Sequence, residues 1–139
     1  MAEDKLTTVL VVEDEELLLQ AITRKLELTQ IKAIACRSGK QALEMLKNLE
    51  KLPDAIWLDY YLKDMNGLEF MCSLKQHGRF SKIPTIVVSN SASPDKVSSM
   101  LTLGVKKYYL KAENKLDDII TAIKEFVAEE SVIKNNGKN

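Results

Sequence analysis

Ala55-Ile56-Trp57-Leu58-Asp59-Tyr60-Tyr61-Leu62-Lys63-Asp64-Met65-Asn66-Gly67 is the stretch whose reading decides the fold. An apolar run, Ala55 to Leu58, stops abruptly at a carboxylate, and Asn66-Gly67 signals a turn or the entry to a helix. A short apolar run bounded in this way reads as a buried strand, with Asp59 emerging at its carboxyl end. In an open parallel sheet, sites form just outside the carboxyl ends of the strands, so Asp59 would sit in a crevice. An aspartate there is also a common turn former or helix cap. Its meaning depends on what else in the chain converges on it.

Working outward, residues 7–12 are β-branched and apolar without alternation, the pattern of a central strand buried on both faces. Glu13-Asp14-Glu15-Glu16 follows, opening a helix over about 15–28 whose acidic first turn suits the helix dipole. Leu18, Ala21, Ile22, Lys25 and Leu26 recur at helical spacing. A second strand is predicted over 31–36, then a helix capped by Ser38, with Ala42, Leu43, Leu46 and Leu49 as its buried stripe. Beyond the central stretch, Leu68, Met71, Cys72 and Leu74 fit a third helix that ends near His77-Gly78, with His77 on the surface. Residues 85–89 form a fourth strand, and Pro94 opens a helix lined by Val97, Met100 and Leu101 that stops at Gly104. A fifth strand over 105–110 leads to Lys111, and a fifth helix over about 115–129 carries Leu116, Ile119, Ile120, Ile123, Phe126 and Val127. Strict alternation of strand and helix with short loops implies a parallel sheet with helices on both faces. The expected class is α/β, a flavodoxin-like doubly wound five-stranded sheet of order 2-1-3-4-5, which makes strands 1 and 3 neighbours. Residues 1–6 are expected to be an extension, 7–129 the domain and 130–139 a polar, frayed tail.

Composition narrows the function. The chain has 139 residues, 45% of them hydrophobic, enough for one domain with one real core. Twenty basic residues balance twenty acidic ones, so no nucleic-acid footprint or polybasic membrane surface is expected. No apolar run is long enough to span a bilayer, and the charged N-terminus does not read as a signal peptide. Cys36 and Cys72 lie far apart in apolar patterns and read as packing residues in a reducing cytoplasm.

With strands 1 and 3 adjacent, Glu13, Asp14 and Asp59 would meet at one edge of the sheet. Left alone, such carboxylates raise one another's pKa values. A hard cation such as Mg²⁺, which takes one or two carboxylates together with waters and a phosphate, resolves the conflict. A solvated helix start explains the acidic run equally well on spacing alone. Ser89 and Lys111 end strands 4 and 5 and would project to the same rim. A hydroxyl and an ammonium beside carboxylates make chemical sense where a phosphoryl group lands.

Taken in order, these residues resemble the receiver domain of two-component response regulators, over about residues 7–128. The acidic pair corresponds to Glu13 and Asp14 in Val-Leu-Val-Val-Glu-Asp-Glu. The phosphoacceptor corresponds to Asp59, followed by Asp64-Met65-Asn66-Gly67; the strand-4 hydroxyl to Ser89, the lysine to Lys111 and the aromatic switch to Tyr108. The resemblance implies that Asp59 takes a phosphoryl group from a phosphohistidine on a sensor histidine kinase or a histidine phosphotransfer domain. It implies Mg²⁺ held by Asp14, Asp59 and the backbone carbonyl of Tyr61, with Glu13 acting through water. Ser89 and Lys111 would hold the product phosphate. Ser89 would then move toward it, Tyr108 would swing inward, and the face made by the fourth helix, fifth strand and fifth helix would change its preference for a downstream protein. Such a domain assists only its own phosphorylation and dephosphorylation and is not otherwise an enzyme. It is cytoplasmic and binds neither nucleic acid nor membrane. It is a monomer or a phosphorylation-dependent dimer. No output module is expected after residue 129.

Some positions depart from the family pattern. Ala112 stands where proline usually follows the lysine, and without proline a cis bond costs ~2.5–4 kcal/mol, so a trans Lys111-Ala112 bond is expected. Lys63 replaces a common proline. Tyr61 occupies the position that helps govern access of water and phosphatases, which predicts slow loss of the phosphoryl group. Three other readings compete. An aspartate-nucleophile phosphatase of haloacid-dehalogenase type needs a second aspartate where Tyr61 stands. A flavodoxin-like flavin-binding protein needs a Ser/Thr/Gly-rich phosphate loop where the acidic run lies. A degenerate receiver used only for binding would not need the intact acidic set.

Overall fold

The computed structural model describes residues 7–136, with side chains described through residue 130. In chain order the elements are β1 Thr7–Val12, α1 Glu16–Leu28, β2 Ile31–Cys36, α2 Gly39–Asn48 and β3 Ala55–Asp59. They continue with α3 Gly67–Lys75, β4 Thr85–Ser89, α4 Pro94–Thr102, β5 Lys107–Leu110 and α5 Leu116–Asn136. The strands form one parallel sheet of order β2-β1-β3-β4-β5, as the alternating pattern requires. The register pairs Val12 with Leu58 and Asp59 with Val88, so the ends of β1, β3 and β4 lie side by side.

The sheet is buried on both faces because the middles of its central strands are apolar without alternation. Leu10, Val12, Ile56, Leu58 and Val87 pack on one side under α2, α3 and α4, against Leu46, Phe70, Met71 and Met100. Val9, Val11, Trp57, Ile86 and Val88 face the other way, against Leu19, Ile22 and Leu26 of α1 and Ile119, Ile120 and Ile123 of α5. Each such side chain contributes ~1.5–3 kcal/mol on burial, which is why the runs without alternation decide the architecture. β5 divides its tyrosines between the two layers: Tyr109 is buried toward α1 and α5, while Tyr108 packs on the α2–α3–α4 side.

The helix ends follow local chemistry. The Ser38 hydroxyl accepts from the Gln41 N–H and the Ser93 hydroxyl from the Lys96 N–H, with Pro94 in the first turn of α4. Asn66 and Glu69 form a reciprocal capping box that starts α3. At the end of α4, Gly104 has φ +97, and the N–H groups of Gly104 and Val105 donate to the carbonyls of Leu101 and Met100. That is a Schellman closure, in which a residue with a side chain would be strained.

Several helix faces differ from the sequence reading. In α3 the buried set is Phe70, Met71 and Leu74, whereas Leu68 and Cys72 are exposed, so Cys72 is not a packing residue. In α4 only Met100 is buried and Leu101 is exposed; in α1 Leu19 is buried while Leu18 is half-buried. In each case the apolar residues exceed what one stripe can hold, and the angle at which the helix crosses the sheet selects among them. The last strand starts at Lys107 rather than 105, because Val105 still closes the α4 terminus. The last helix continues to Asn136, beyond the expected end near Glu129, since Ser131-Val132-Ile133-Lys134 contains no breaker. Residues 1–6 and 137–139, parts of the expected extension and tail, lie outside the described residues.

Candidate functional site

The carboxyl ends of β1, β3, β4 and β5 deliver the chemistry. Glu13 follows β1, where its N–H donates to the Cys36 carbonyl at 3.0 Å, and its side chain is almost wholly buried. Asp14 is half-buried. Asp59, the last residue of β3, is 5% exposed. One carboxylate oxygen from each of Glu13, Asp14 and Asp59 lies within 4.8 Å of the others. An adjacent pair of acids and a third far along the chain thus share one cleft.

Each acid is also held in place. The Glu15 N–H donates to Glu13 Oε2 at 3.0 Å, and Lys111 Nζ donates to Glu13 Oε1 at 3.2 Å. The Lys63 N–H donates to Asp14 Oδ2 at 2.8 Å. The Tyr61 N–H reaches Asp59 Oδ1 at 3.4 Å, and Lys111 Nζ lies 3.7 Å from the same oxygen. A single ammonium therefore serves two buried carboxylates and sits nearer to Glu13 than to Asp59. Burial, then the charge of Glu13, push the Asp59 carboxyl up to about 7; Lys111 and the Tyr61 N–H pull the other way, and Asp14 adds to the rise. A cation in the cleft would reverse that balance.

Ser89 ends β4 and is fully buried; its hydroxyl accepts from the Ser91 N–H at 3.3 Å. The Lys111 N–H donates to the Ser89 carbonyl at 2.8 Å, which ties the ends of β4 and β5 together beside Asp59. Among the described residues no peptide bond is cis, so Lys111-Ala112 is trans, as expected without proline. Tyr108 is half-buried and its hydroxyl donates to the Ser91 carbonyl at 2.8 Å. Burial raises its phenol pKa.

A match to the response regulator receiver domain family covers residues 9–124. The chain is also 30% identical to the two-component response regulator ORR11 of Oryza sativa subsp. indica over 103 residues, 74% of this chain and 69% of that protein. The chain belongs to the response regulator receiver domain family. The function of such a domain in two-component signalling is to accept a phosphoryl group. The structure of a CheY-like receiver domain protein from Methanospirillum hungatei JF-1 superposes with a TM-score of 0.82 at 22% identity, over 91% of this chain and 98% of that one. A segment of the sensor histidine kinase CheAY of Helicobacter pylori is 31% identical over 93 residues, 66% of this chain and 12% of that protein. The phosphatase and flavodoxin readings find no support.

Around the expected residues this receiver domain carries others that sequence reasoning missed. Asp64 accepts from the N–H groups of Gly39 and Lys40 at 3.1 and 2.9 Å, capping α2 from the loop after β3. With the Lys63 contact to Asp14, this pins the loop that carries Tyr61 at two points. Ser91 and Lys96 both contact the Tyr61 hydroxyl. Asp64 belongs to the motif already quoted. For Ser91 and Lys96 the sequence holds no signal, because only the packing of α4 against the loop brings them there.

Proposed function

We propose that Asp59 is the phosphoacceptor of this receiver domain. A carboxylate oxygen of Asp59 attacks the phosphorus of a phosphohistidine, the bond to the imidazole nitrogen breaks, and an aspartyl phosphate forms. The observation that carries the reading is the convergence of buried Glu13 and Asp59 and half-buried Asp14 with Lys111 at a cleft. The donor set is all hard oxygen, which suits Mg²⁺. The three carboxylate oxygens, all within 4.8 Å of one another, are close enough to surround one ion; Asp14 and Asp59 would ligate it directly and Glu13 through water. The Tyr61 carbonyl would complete the protein ligands. Mg²⁺, when bound, neutralises charge on the phosphoryl oxygens.

The Lys111 ammonium and the Ser89 hydroxyl hold the phosphoryl group once it is transferred. Ser89 then shifts toward the new charge and Tyr108 gives up its bond to the Ser91 carbonyl to move inward. The face of α4, β5 and α5 thereby changes its affinity for a downstream protein. The donor is a sensor histidine kinase or a histidine phosphotransfer domain. The domain acts in the cytoplasm, as a monomer or a phosphorylation-dependent dimer, without nucleic acid or membrane. Its catalysis extends only to its own phosphorylation and dephosphorylation. Among the described residues no helix is long and apolar enough to cross a membrane.

Incubation with a small acyl-phosphate donor and Mg²⁺, followed by mass spectrometry, tests the proposal. One phosphoryl group should be added to the wild type and none to Asp59→Asn. Equal incorporation in the two would move the acceptor elsewhere.

A further inference from the structure

Asp14 is the least sheltered of the three acids: Glu13 and Asp59 are buried, whereas Asp14 is only half-buried. Water competes for a half-buried carboxylate, and two other carboxylates with oxygens within 4.8 Å repel it. Unheld, its side chain would turn outward to solvent. What opposes this is the Lys63 backbone N–H, which donates to Asp14 Oδ2 at 2.8 Å across 49 positions of sequence. Lys63 stands where the family pattern commonly has proline, and a proline has no N–H to give. The bond is thus open to this chain because it lacks that proline.

The donor is held by its own neighbours. Leu62 is buried, and its N–H donates to the Met65 carbonyl at 3.2 Å, inside a loop closed by an antiparallel bridge between Tyr61 and Asn66. Asp64 accepts from the N–H groups of Gly39 and Lys40. The Met65 side chain lies so close over Gly39 that a Cβ there would overlap its sulfur. Residues on both sides of Lys63 are therefore fixed, against the core and against the start of α2. Its N–H has little freedom to follow Asp14 outward, so it selects one placement of that side chain. An N–H donating to a carboxylate makes one of the stronger hydrogen bonds in proteins. It engages Oδ2 and leaves Oδ1 as a metal ligand.

We propose that Lys63 is a positioning residue for the metal site: its backbone N–H holds the Asp14 carboxylate at the cleft before Mg²⁺ arrives. The inference rests on the reading of the acidic cleft as a Mg²⁺ site. The cost of drawing a repelled, half-exposed carboxylate inward is then met when the chain folds and not when the ion binds, which raises affinity without any new contact to the ion. The role belongs to the backbone and is independent of the lysine ammonium.

The experiment has two arms. In the first, magnesium chloride is titrated into the isotope-labelled chain and the amide signals are followed by nuclear magnetic resonance. Lys63→Ala and Lys63→Pro both remove the ammonium, but only proline removes the N–H. Lys63→Pro should bind Mg²⁺ roughly tenfold more weakly than Lys63→Ala, the lower end for loss of a group that orients a metal ligand. Equal affinity in the two, or tighter binding by the proline variant, would overturn the proposal. The second arm needs no proline variant: hydrogen exchange at the Lys63 amide is timed. In the wild type it should be roughly tenfold slower than in Asp14→Ala, as for a bond to a charged acceptor, and it should stay slow in saturating magnesium chloride. Wild-type exchange as fast as in Asp14→Ala, whether without Mg²⁺ or once Mg²⁺ is bound, would overturn the proposal too. A wild type whose signals do not respond to magnesium chloride would instead strike the metal-site reading, and this proposal with it, while the Lys63 amide would still report the hold on Asp14.

Discussion

Asp59→Asn should stabilise the metal-free protein at alkaline pH. The Asp59 carboxyl is pushed up to about 7 from an ordinary value of 3.8, chiefly by burial and by Glu13. An acid whose folded pKa lies above its unfolded one holds its proton more tightly when folded. Its cost to stability is therefore absent below about pH 4, grows between 4 and 7, and is complete above 7. Moving a carboxyl from 3.8 to about 7 corresponds to ~4 kcal/mol, and halving that for residual screening by water and ions leaves ~2 kcal/mol. The shift already includes the opposing attraction of Lys111, and asparagine keeps an acceptor for the Tyr61 N–H. We expect Asp59→Asn to exceed the wild type by ~2 kcal/mol at pH 8 in chelator, a rise in urea midpoint of roughly 1 M. The difference should shrink steadily as the pH falls from 7 toward 4. Saturating Mg²⁺ should narrow it at pH 8 by stabilising the wild type through binding. Urea denaturation followed by circular dichroism across that pH range measures all three. An advantage at pH 8 that is missing, or that does not change with pH, would refute the account of the cleft as a buried, mutually repelling set of carboxylates.

Two further outcomes follow from the same geometry. Lys111→Met removes the cation that lies 3.2 Å from Glu13 and 3.7 Å from Asp59; it should destabilise the chelated protein by ~2–3 kcal/mol at pH 8, with part of the loss recovered in Mg²⁺, as read by urea denaturation. Asp64→Ala removes two acceptor bonds at the start of α2, and should cost ~1 kcal/mol of stability and weaken Mg²⁺ binding measured by calorimetry, since the loop carrying Tyr61 loses one of its two ties.

The sheet was legible in the sequence because its strands are buried on both faces. Leu10 and Val11, or Ile56 and Trp57, point to opposite layers and are all apolar, so no register or tilt was needed to recognise them as central. Helices meet the sheet on one side only, and there the reading was weaker. Leu68, Cys72 and Leu101 fit an apolar period and are nonetheless exposed, because the crossing angle of each helix selects the stripe that is buried.

The site divides along the same line. Strand ends mark Glu13, Asp14, Asp59, Ser89 and Lys111 in the sequence, because a parallel sheet must present its carboxyl ends together, whatever the details of packing. Which of these groups touch was decided by the folded chain alone. Lys111 lies nearer to Glu13 than to Asp59, Lys63 holds Asp14 through its backbone, and Asp64 caps a helix distant in sequence. The link from Lys96 to Tyr61 is of the same kind. Periodicity and turn chemistry are local and survive in a string of residues. The reach of a side chain across two loops depends on angles and offsets that every element of the domain sets jointly, and these exist only in three dimensions.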